Sequence, residues 1–100
     1  MSEIEQLSRM VREFAKARDW EKFHTPKNLA MAITGEAGEL AAEFQWLTTE
    51  ESCTIENLPI QNIEFEIADV AIYLLRLCDV TGIDLSVAIR KKMALNERRF

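Results

Sequence analysis

The segment that restricts the fold most is "IADVAIYLLRLCDV", residues 67–80, which is apolar on nearly every side when wound as a helix. A helix of that kind is normally buried, either at the centre of a domain or between subunits. The whole chain contains only three Gly and two Pro, so few positions can interrupt a helix. We therefore expect an all-α fold built around this segment.

Helical spacing and capping residues divide the chain into four helices. Ser2, Thr25 and Asp84 are suited to cap a helix start, Pro26 suits a first helical position, and Gly82 suits a helix end. The predicted helices span residues 3 to about 18, 26 to about 47, about 61 to 80, and 85 to about 98, with loops at 19–25 and 48–59. Four helices with short connections predict a four-helix bundle-type protomer, with residues 1–100 as a single domain.

Charge and cysteine content exclude several classes of partner. A net charge of −5 does not favour binding to a nucleic-acid polymer, and an acidic chain needs a cation to handle a polyphosphate. Cys53 and Cys78 form neither a CxxC motif nor a disulfide framework, which favours a reduced, cytoplasmic setting. No signal peptide precedes Ser2, and no apolar run has the length of a membrane span. We expect a cytoplasmic protein with no membrane partner.

Two acidic pairs border the predicted core. Glu36 and Glu39 lie in "GEAGELAAEFQW", beside the apolar stripe of the second helix, and this stretch contains no Lys or Arg. Glu66 and Asp69 lie three residues apart on one face of the third helix. If these two helices pack antiparallel, four carboxylates converge in one pocket of low dielectric constant.

Such a cluster needs protons or a cation, because like charges a few Å apart repel by about 4 kcal/mol at an effective dielectric constant near 20. Carboxylate oxygens without Cys or His select Mg²⁺, Mn²⁺ or Ca²⁺, and Mg²⁺ suits chemistry on a polyphosphate. Two solvated acidic faces, paired with Lys and Arg elsewhere, are the simpler alternative. A di-iron site is a weaker one, because it requires Glu-x-x-His and the only histidine, His24, lies in a predicted loop. Gly35 and Gly38 each weaken the second helix by about 1 kcal/mol, which suggests close approach of another backbone or a ligand.

The spacing of these acids resembles a known signature. Glu36-x-x-Glu39, then Glu66-x-x-Asp69 after 26 intervening residues, is similar to the motif of MazG-like nucleotide pyrophosphohydrolases. "RDWEKFHTPKNLAMAITGEAGELAAEFQW", "EFEIADVAIYLLRL" and "KKMALNERRF" resemble the dCTP pyrophosphatase branch of that family. The likeness extends from about residue 14 to residue 100.

The resemblance implies an all-α NTP pyrophosphatase fold and a house-cleaning role in the nucleotide pool. The implied reaction is Mg²⁺-dependent hydrolysis of a (deoxy)nucleoside triphosphate, with dCTP or a modified pyrimidine dNTP favoured, to the monophosphate and pyrophosphate. Water activated by the metal would attack the α-phosphorus, and Mn²⁺ is a possible substitute. By position, Glu36, Glu39, Glu66 and Asp69 are the implied catalytic metal ligands, and one of them would double as general base.

A further group of residues has the chemistry that a nucleotide substrate requires. Aromatic rings stack on bases, an amide reads a base edge, and a Lys on the inner face of the last helix can meet phosphate. The predicted substrate-binding residues are Trp20, His24, Asn28, Trp46, Tyr73, Lys92 and Asn96. The structural alternatives are core packing for the aromatic residues, a structural role for His24, solvent exposure for Lys92 and a place near a fraying helix end for Asn96.

The apolar third helix also bears on assembly. In a monomer with only three other helices it would expose apolar area, so we expect a homodimer. The family resemblance implies a homotetramer built as a dimer of dimers, in which one site can draw residues from two chains. A non-catalytic helical module that binds a nucleotide or a protein is the alternative function. Within the enzyme class, dUTP, a damaged nucleotide or an alarmone stays open as the substrate.

Overall fold

The computed structural model describes all 100 residues as helices joined by turns, with no strand. The five α-helices are α1 (Glu3–Ala17), α2 (Pro26–Ala42), α3 (Thr49–Ser52), α4 (Ile60–Thr81) and α5 (Leu85–Arg99), with 3₁₀ turns at Glu21–Phe23 and Ile55–Asn57. The all-α prediction is confirmed, and the four predicted helices correspond to α1, α2, α4 and α5. None of these helices is both long enough and apolar enough to cross a membrane.

Local sequence signals account for most helix ends. The side chains of Ser2, Thr25 and Asp84 each accept the backbone N–H three residues later, at 3.1, 3.2 and 3.0 Å. These bonds satisfy N–H groups that have no partner inside the helix. Gly82 ends α4 in the left-handed region, at φ 72°, where a residue with a Cβ is strained. The predicted caps are therefore confirmed.

The predicted end of the second helix, at about residue 47, is wrong. The helix α2 ends at Ala42, and the next three N–H groups, of Glu43, Phe44 and Gln45, donate to carbonyls three residues earlier at 3.2, 3.0 and 3.4 Å. Bonds of that spacing tighten the backbone into successive turns rather than continuing an α-helix. The α-helical hydrogen-bond pattern therefore stops at Ala42, three residues after Glu39.

The predicted loop 48–59 contains the short helix α3. Thr48 Oγ1 accepts the N–H of Glu51 at 3.1 Å, and the Glu51 carboxylate accepts the N–H of Thr48 at 2.8 Å. This reciprocal capping box needs only Thr and Glu at a spacing of three. The signal is present in the sequence as "TTEE", but polar composition masks it.

The helix α4 is central, with α2 and α1 packed against it, whereas α5 makes only sparse contact with the rest of the chain. The buried apolar residues are Ala15, Leu29, Ile63 and Leu75, which come from these three helices. Large apolar side chains on every long helix are exposed, and the radius of gyration is 16.1 Å. A compact domain of this length has a radius of gyration of about 13 Å. One copy of the chain therefore leaves considerable apolar surface uncovered.

Asp79 fastens α1 to α4. Arg12 donates from Nε and Nη2 to its two carboxylate oxygens at 2.9 and 2.7 Å, and Arg76 donates from Nη1 at 2.8 Å. The hydrogen bonds from Arg12, together with the two guanidinium charges, hold the pKa of Asp79 below its ordinary value. Arg76 is 5% exposed and is the one buried charged residue. Asp79 is therefore the counter-ion of a buried cation.

Candidate metal centre and adjoining cavity

The packing of α2 against α4 brings three of the predicted acids together. Glu36 and Glu39 lie one turn apart on α2, and Glu66 lies on the facing part of α4. Each offers a carboxylate oxygen, and these oxygens lie within 4.8 Å of one another. The helix pairing thus creates a compact set of oxygen donors, which we call the acidic cluster.

Two oxygens of the acidic cluster have no partner in the chain. Glu36 Oε2 and Glu66 Oε2 are both buried, and neither accepts a hydrogen bond. None of the four ion pairs in the structure includes a member of the cluster. Buried polar atoms without partners cost free energy, and an ionised carboxylate costs more than a neutral group. The cluster therefore needs a proton or a cation that the chain does not provide.

The electrostatics of the acidic cluster support the same conclusion. Burial raises the pKa of Glu36, and the charges of Glu39 and Asp69 raise it further. The pKa of Glu66 is also raised, first by burial and then by the same two neighbours. Without a cation, the cluster therefore holds protons more tightly than isolated carboxyl groups do.

Asp69 occupies the edge of this arrangement. Its charge acts on both Glu36 and Glu66, but its oxygens are not among those that meet within 4.8 Å. Glu43, from the turn after α2, also raises the pKa of Glu66. The donors are all carboxylate oxygens with no His or Cys, which matches the preference of hard divalent cations. The acidic cluster could therefore bind a metal ion.

The two glycines of α2 do not accommodate a close approach within this chain. A Cβ built on Gly35 or Gly38 would have no other part of the chain within 4 Å. The space next to Gly35 and Gly38 is open. If these glycines permit a close approach, the approaching group is therefore a ligand or a second chain.

A cavity of about 290 Å³ adjoins the acidic cluster. Its walls are Trp20, Phe23, His24, Asn28, Leu29, Ala32 and Tyr73. Ala32 precedes Glu36 by one turn of α2, and Tyr73 follows Asp69 by one turn of α4, a separation of about 6 Å along each helix axis. The structure thus places four predicted substrate residues, Trp20, His24, Asn28 and Tyr73, around one cavity beside the acids.

Hydrogen bonds fix two polar side chains of the cavity wall. The amide Nδ2 of Asn28 donates to the carbonyl of Phe23 at 3.0 Å, which leaves its Oδ1 as an unpaired acceptor. His24 Nδ1 accepts from Arg76 Nε at 3.0 Å, which leaves Nε2 without a partner in the chain. Trp20 lies edge-on to His24, with ring centroids 6.3 Å apart. The cavity therefore combines aromatic surface with two oriented polar groups.

Three predicted substrate residues lie elsewhere in the single chain. Trp46 follows the end of α2 and is 87% exposed. Lys92 and Asn96 lie on α5, and neither lines the cavity. Their assignment to the substrate stays a prediction.

Sequence reasoning did not assign a role to several residues that complete the cavity. Leu29 and Ala32 supply apolar wall, and Arg76 donates a hydrogen bond to His24. Arg76 had a visible signal, since it is the one basic residue inside the apolar run "YLLRLC". The wall residues had none beyond their closeness in sequence to Trp20 and Asn28.

Comparison with known proteins gives consistent relatives. No family model matches the chain. The chain is 42% identical over 99 residues to dCTP pyrophosphatase 1 of Homo sapiens and 41% identical over 99 residues to that of Bos taurus. These alignments cover 97% of the chain but 58% and 59% of the relatives, so the chain spans less than two thirds of their length.

A solved structure matches over nearly its full extent. The crystal structure of a pyrophosphatase from Archaeoglobus fulgidus aligns with a TM-score of 0.93 and 45% sequence identity. The alignment covers 100% of this chain and 94% of that one. At that identity and coverage, the likeness extends from the fold to the family.

Proposed function

This chain belongs to the MazG-like nucleotide pyrophosphohydrolases, and from that membership we propose that it hydrolyses a (deoxy)nucleoside triphosphate to the monophosphate and pyrophosphate. The observation that supports this most is the acidic cluster with its two unpartnered buried oxygens, placed beside a cavity with aromatic walls. The curated relatives named for dCTP favour that nucleotide or a modified pyrimidine dNTP as substrate. Clearing the nucleotide pool is the role that we assign to this activity.

The residues present fit a divalent cation, and we assign Mg²⁺ with Mn²⁺ as a possible substitute. Glu36, Glu39 and Glu66 would hold it, with Asp69 at the edge of the site. When bound, Mg²⁺ would offset the charge of the phosphates and favour the deprotonated form of a reacting water. The fit rests on donor chemistry, since all the converging atoms are carboxylate oxygens.

The chain's own residues divide the remaining tasks. Trp20 supplies a stacking surface for the base, while the free Oδ1 of Asn28 can accept a hydrogen bond from a base edge. Tyr73 stands between this cavity and the acidic cluster on α4, where the sugar and the α-phosphate would lie. One carboxylate accepts the proton of the attacking water as the water oxygen bonds to the α-phosphorus and pyrophosphate leaves with the α,β-bridging oxygen.

A panel of nucleotides tests this function. Pyrophosphate release from each dNTP and NTP is measured with Mg²⁺ and with a chelator. We expect metal-dependent release with at least one pyrimidine deoxynucleotide. Thermal stabilisation by Mg²⁺ and nucleotide, without release from any member of the panel, would instead identify a non-catalytic nucleotide-binding module.

Metal binding has its own prediction at equilibrium. At a Mg²⁺ concentration about 100 times its Kd, the free energy of unfolding rises by about 2.7 kcal/mol. The folded pKa values of Glu36 and Glu66 lie above their unfolded value of about 4.3, so the metal-free protein loses stability as pH rises from there. The stabilisation by Mg²⁺ is therefore expected to be largest near pH 7 and to fade toward pH 4.3, where protons occupy the cluster.

Thermal unfolding at several pH values with and without Mg²⁺ measures this effect. Glu64→Gln is the matched control, because Glu64 is exposed on α4 two residues from Glu66 and lies outside the cluster. The control should respond to Mg²⁺ as the parent does, and Glu36→Gln should respond weakly. An equal response in both variants would place the cation elsewhere.

We further propose that the protein works as a homo-oligomer, a dimer or a dimer of dimers. Large apolar side chains are left exposed on α4, among them Phe65, Ile67 and Ile72, and exposed apolar surface of this kind marks a site of association. A second copy could cover this surface and bring Trp46, Lys92 or Asn96 to a neighbouring cavity. The two free cysteines, Cys53 and Cys78, agree with a cytoplasmic setting.

Light scattering coupled to size exclusion is expected to show a dimer or tetramer and no stable monomer at micromolar concentration. Replacing Phe65 and Ile67 with Ser should increase the monomer fraction, since the apolar area available for association falls. A monodisperse monomer of the parent protein would contradict the proposed assembly.

A further inference from the structure

Arg76 connects the cavity to the ion pair between Asp79 of α4 and Arg12 of α1. It is buried in the C-terminal half of α4, where its Nε donates to His24 Nδ1 at 3.0 Å and its Nη1 donates to Asp79 at 2.8 Å. Asp79 is held in turn by two hydrogen bonds from Arg12 on α1. The Asp79 carboxylate thus fixes the guanidinium through Nη1, and its Nε–H points to the imidazole of His24.

The contact between Arg76 and His24 determines where the ring carries its proton. A guanidinium only donates, and it does not lose its proton in proteins. The nitrogen that faces it must therefore be an acceptor, so Nδ1 is unprotonated and a neutral ring carries its hydrogen on Nε2. We propose that Arg76 is a positioning residue that holds His24 as the neutral Nε2–H imidazole, so that the cavity has a constant hydrogen-bond donor.

The surroundings of His24 favour the neutral ring. Burial lowers the pKa of His24, and the charge of Arg76 lowers it further. The charged groups that the neighbouring helices bring near His24 are Arg76 and Asp79 of α4 and Arg12 of α1. Tyr73, in the cavity wall, has a phenol side chain and adds no carboxylate. Asp79 is shared between two guanidinium groups, so it does not stabilise a charged imidazole. The ring therefore stays neutral at pH 7.

The fixed tautomer has a consequence for recognition, which rests on the proposed nucleotide function. The polar atoms that the wall leaves without a partner in the chain include the Nε2–H of His24, a donor, and the Oδ1 of Asn28, an acceptor, beside the indole N–H of Trp20 and the hydroxyl of Tyr73. Cytosine and adenine present an amino donor next to an unprotonated ring nitrogen, whereas uracil, thymine and guanine present a carbonyl next to an N–H. With the exocyclic group of the base placed at Asn28 and its ring nitrogen at His24, the wall is complementary to a base that carries an amino group on that edge.

Because the chain contains a single histidine, nuclear magnetic resonance can test the proposal without any activity. Long-range ¹⁵N–¹H correlation on the untagged protein should show the Nε2–H tautomer, and the ring should titrate below its ordinary pKa of about 6.5. In Arg76→Met the pKa should rise and the two tautomers should mix. Arg12→Met is the control, because it removes a guanidinium from Asp79 without touching His24. Its ring spectrum should match the parent.

Arg76→Lys serves as the conservative variant, since it keeps the cation and a donor and retains the fold if Arg76→Met does not. It should restore much of the parent tautomer. A parent spectrum with the proton on Nδ1, or an unchanged ring in folded Arg76→Met, would overturn the proposal. Both outcomes are independent of turnover, so they are distinguishable from failure of the proposed enzymatic function.

Kinetics give the second readout. In Arg76→Met, the ratio of kcat/KM for dCTP to that for dUTP should fall by about tenfold, the loss expected for one hydrogen bond, and the change should lie in KM. If Arg76 had a purely structural role, kcat/KM would fall equally for dCTP and dUTP, and their ratio would not change. If no nucleotide is hydrolysed but the tautomer and pKa of His24 change as expected, the positioning role of Arg76 is supported. The inferred base selectivity is then contradicted together with the proposed function.

Discussion

Replacing Glu39 with glutamine is expected to lower pyrophosphate release by about 10²–10³-fold, the usual effect of removing one charged group aimed at the reacting centre. Glu39 contributes one of the three oxygens that converge within 4.8 Å, and its charge is a main reason for the raised pKa of both Glu36 and Glu66. Glutamine keeps the shape of the side chain and removes the charge. Affinity for Mg²⁺ should therefore fall together with turnover.

The fold of Glu39→Gln should be intact. The side chain is exposed, and its removal relieves repulsion in the metal-free cluster, so the free energy of unfolding without Mg²⁺ should stay the same or rise. Loss of activity in a protein that is no less stable separates a functional acid from a structural one. The exposed Glu64→Gln on α4 should keep parental turnover. Parental turnover in Glu39→Gln would remove the acidic cluster from the mechanism.

The second large effect is on stability. We expect Asp79→Ala to lose about 3 kcal/mol, because it leaves the guanidinium of Arg76 buried without a counter-ion. The estimate lies at the low end for a buried pair, since the Asp79 side chain retains 18% exposure. For a domain of this size the loss corresponds to a fall in Tm of roughly 12–24 °C. Urea and thermal unfolding at one fixed protein concentration measure both quantities.

A matched substitution and the pH dependence identify the cause. Glu13→Ala also breaks an ion pair, but Arg9 and Glu13 are 58% and 70% exposed, so it should cost less than about 0.5 kcal/mol. The folded pKa of Asp79 is lowered, so its contribution is present above the unfolded value of about 3.9 and is lost as pH falls through the folded value. In Asp79→Ala, the free energy of unfolding should therefore change less with pH in the acid range than it does in the parent protein. Equal losses in the two variants would show that the burial of Arg76 is not the reason.

Local patterns predicted what depends on local interactions. The caps of Ser2, Thr25 and Asp84 and the left-handed Gly82 each involve neighbours within a turn, and all four are observed. The end of α2 was predicted five residues too late, since the apolar spacing continues through Phe44 while the backbone has already tightened. Periodicity reports which face is apolar and does not report which hydrogen-bond spacing the backbone adopts.

The candidate site shows the same division. The spacing of Glu36, Glu39, Glu66 and Asp69 predicted a cluster, and three of the four converge, because two i, i+3 pairs on packed helices leave little freedom. The contact between Arg76 and His24 joins residues 52 positions apart, and no local signal names such a partner. The positions of Lys92 and Asn96 depend on α5, which this chain alone scarcely packs.

The ion pair between Arg12 and Asp79 has a consequence for folding during synthesis. It joins residues 67 positions apart, so the whole segment between them must fold back before the ion pair can form. During synthesis, at about 5–20 residues per second, α1 is made several seconds before Asp79, and its apolar side stays uncovered until α4 has formed. The segment α1 is therefore accessible to chaperones and proteases until Asp79 has left the exit tunnel.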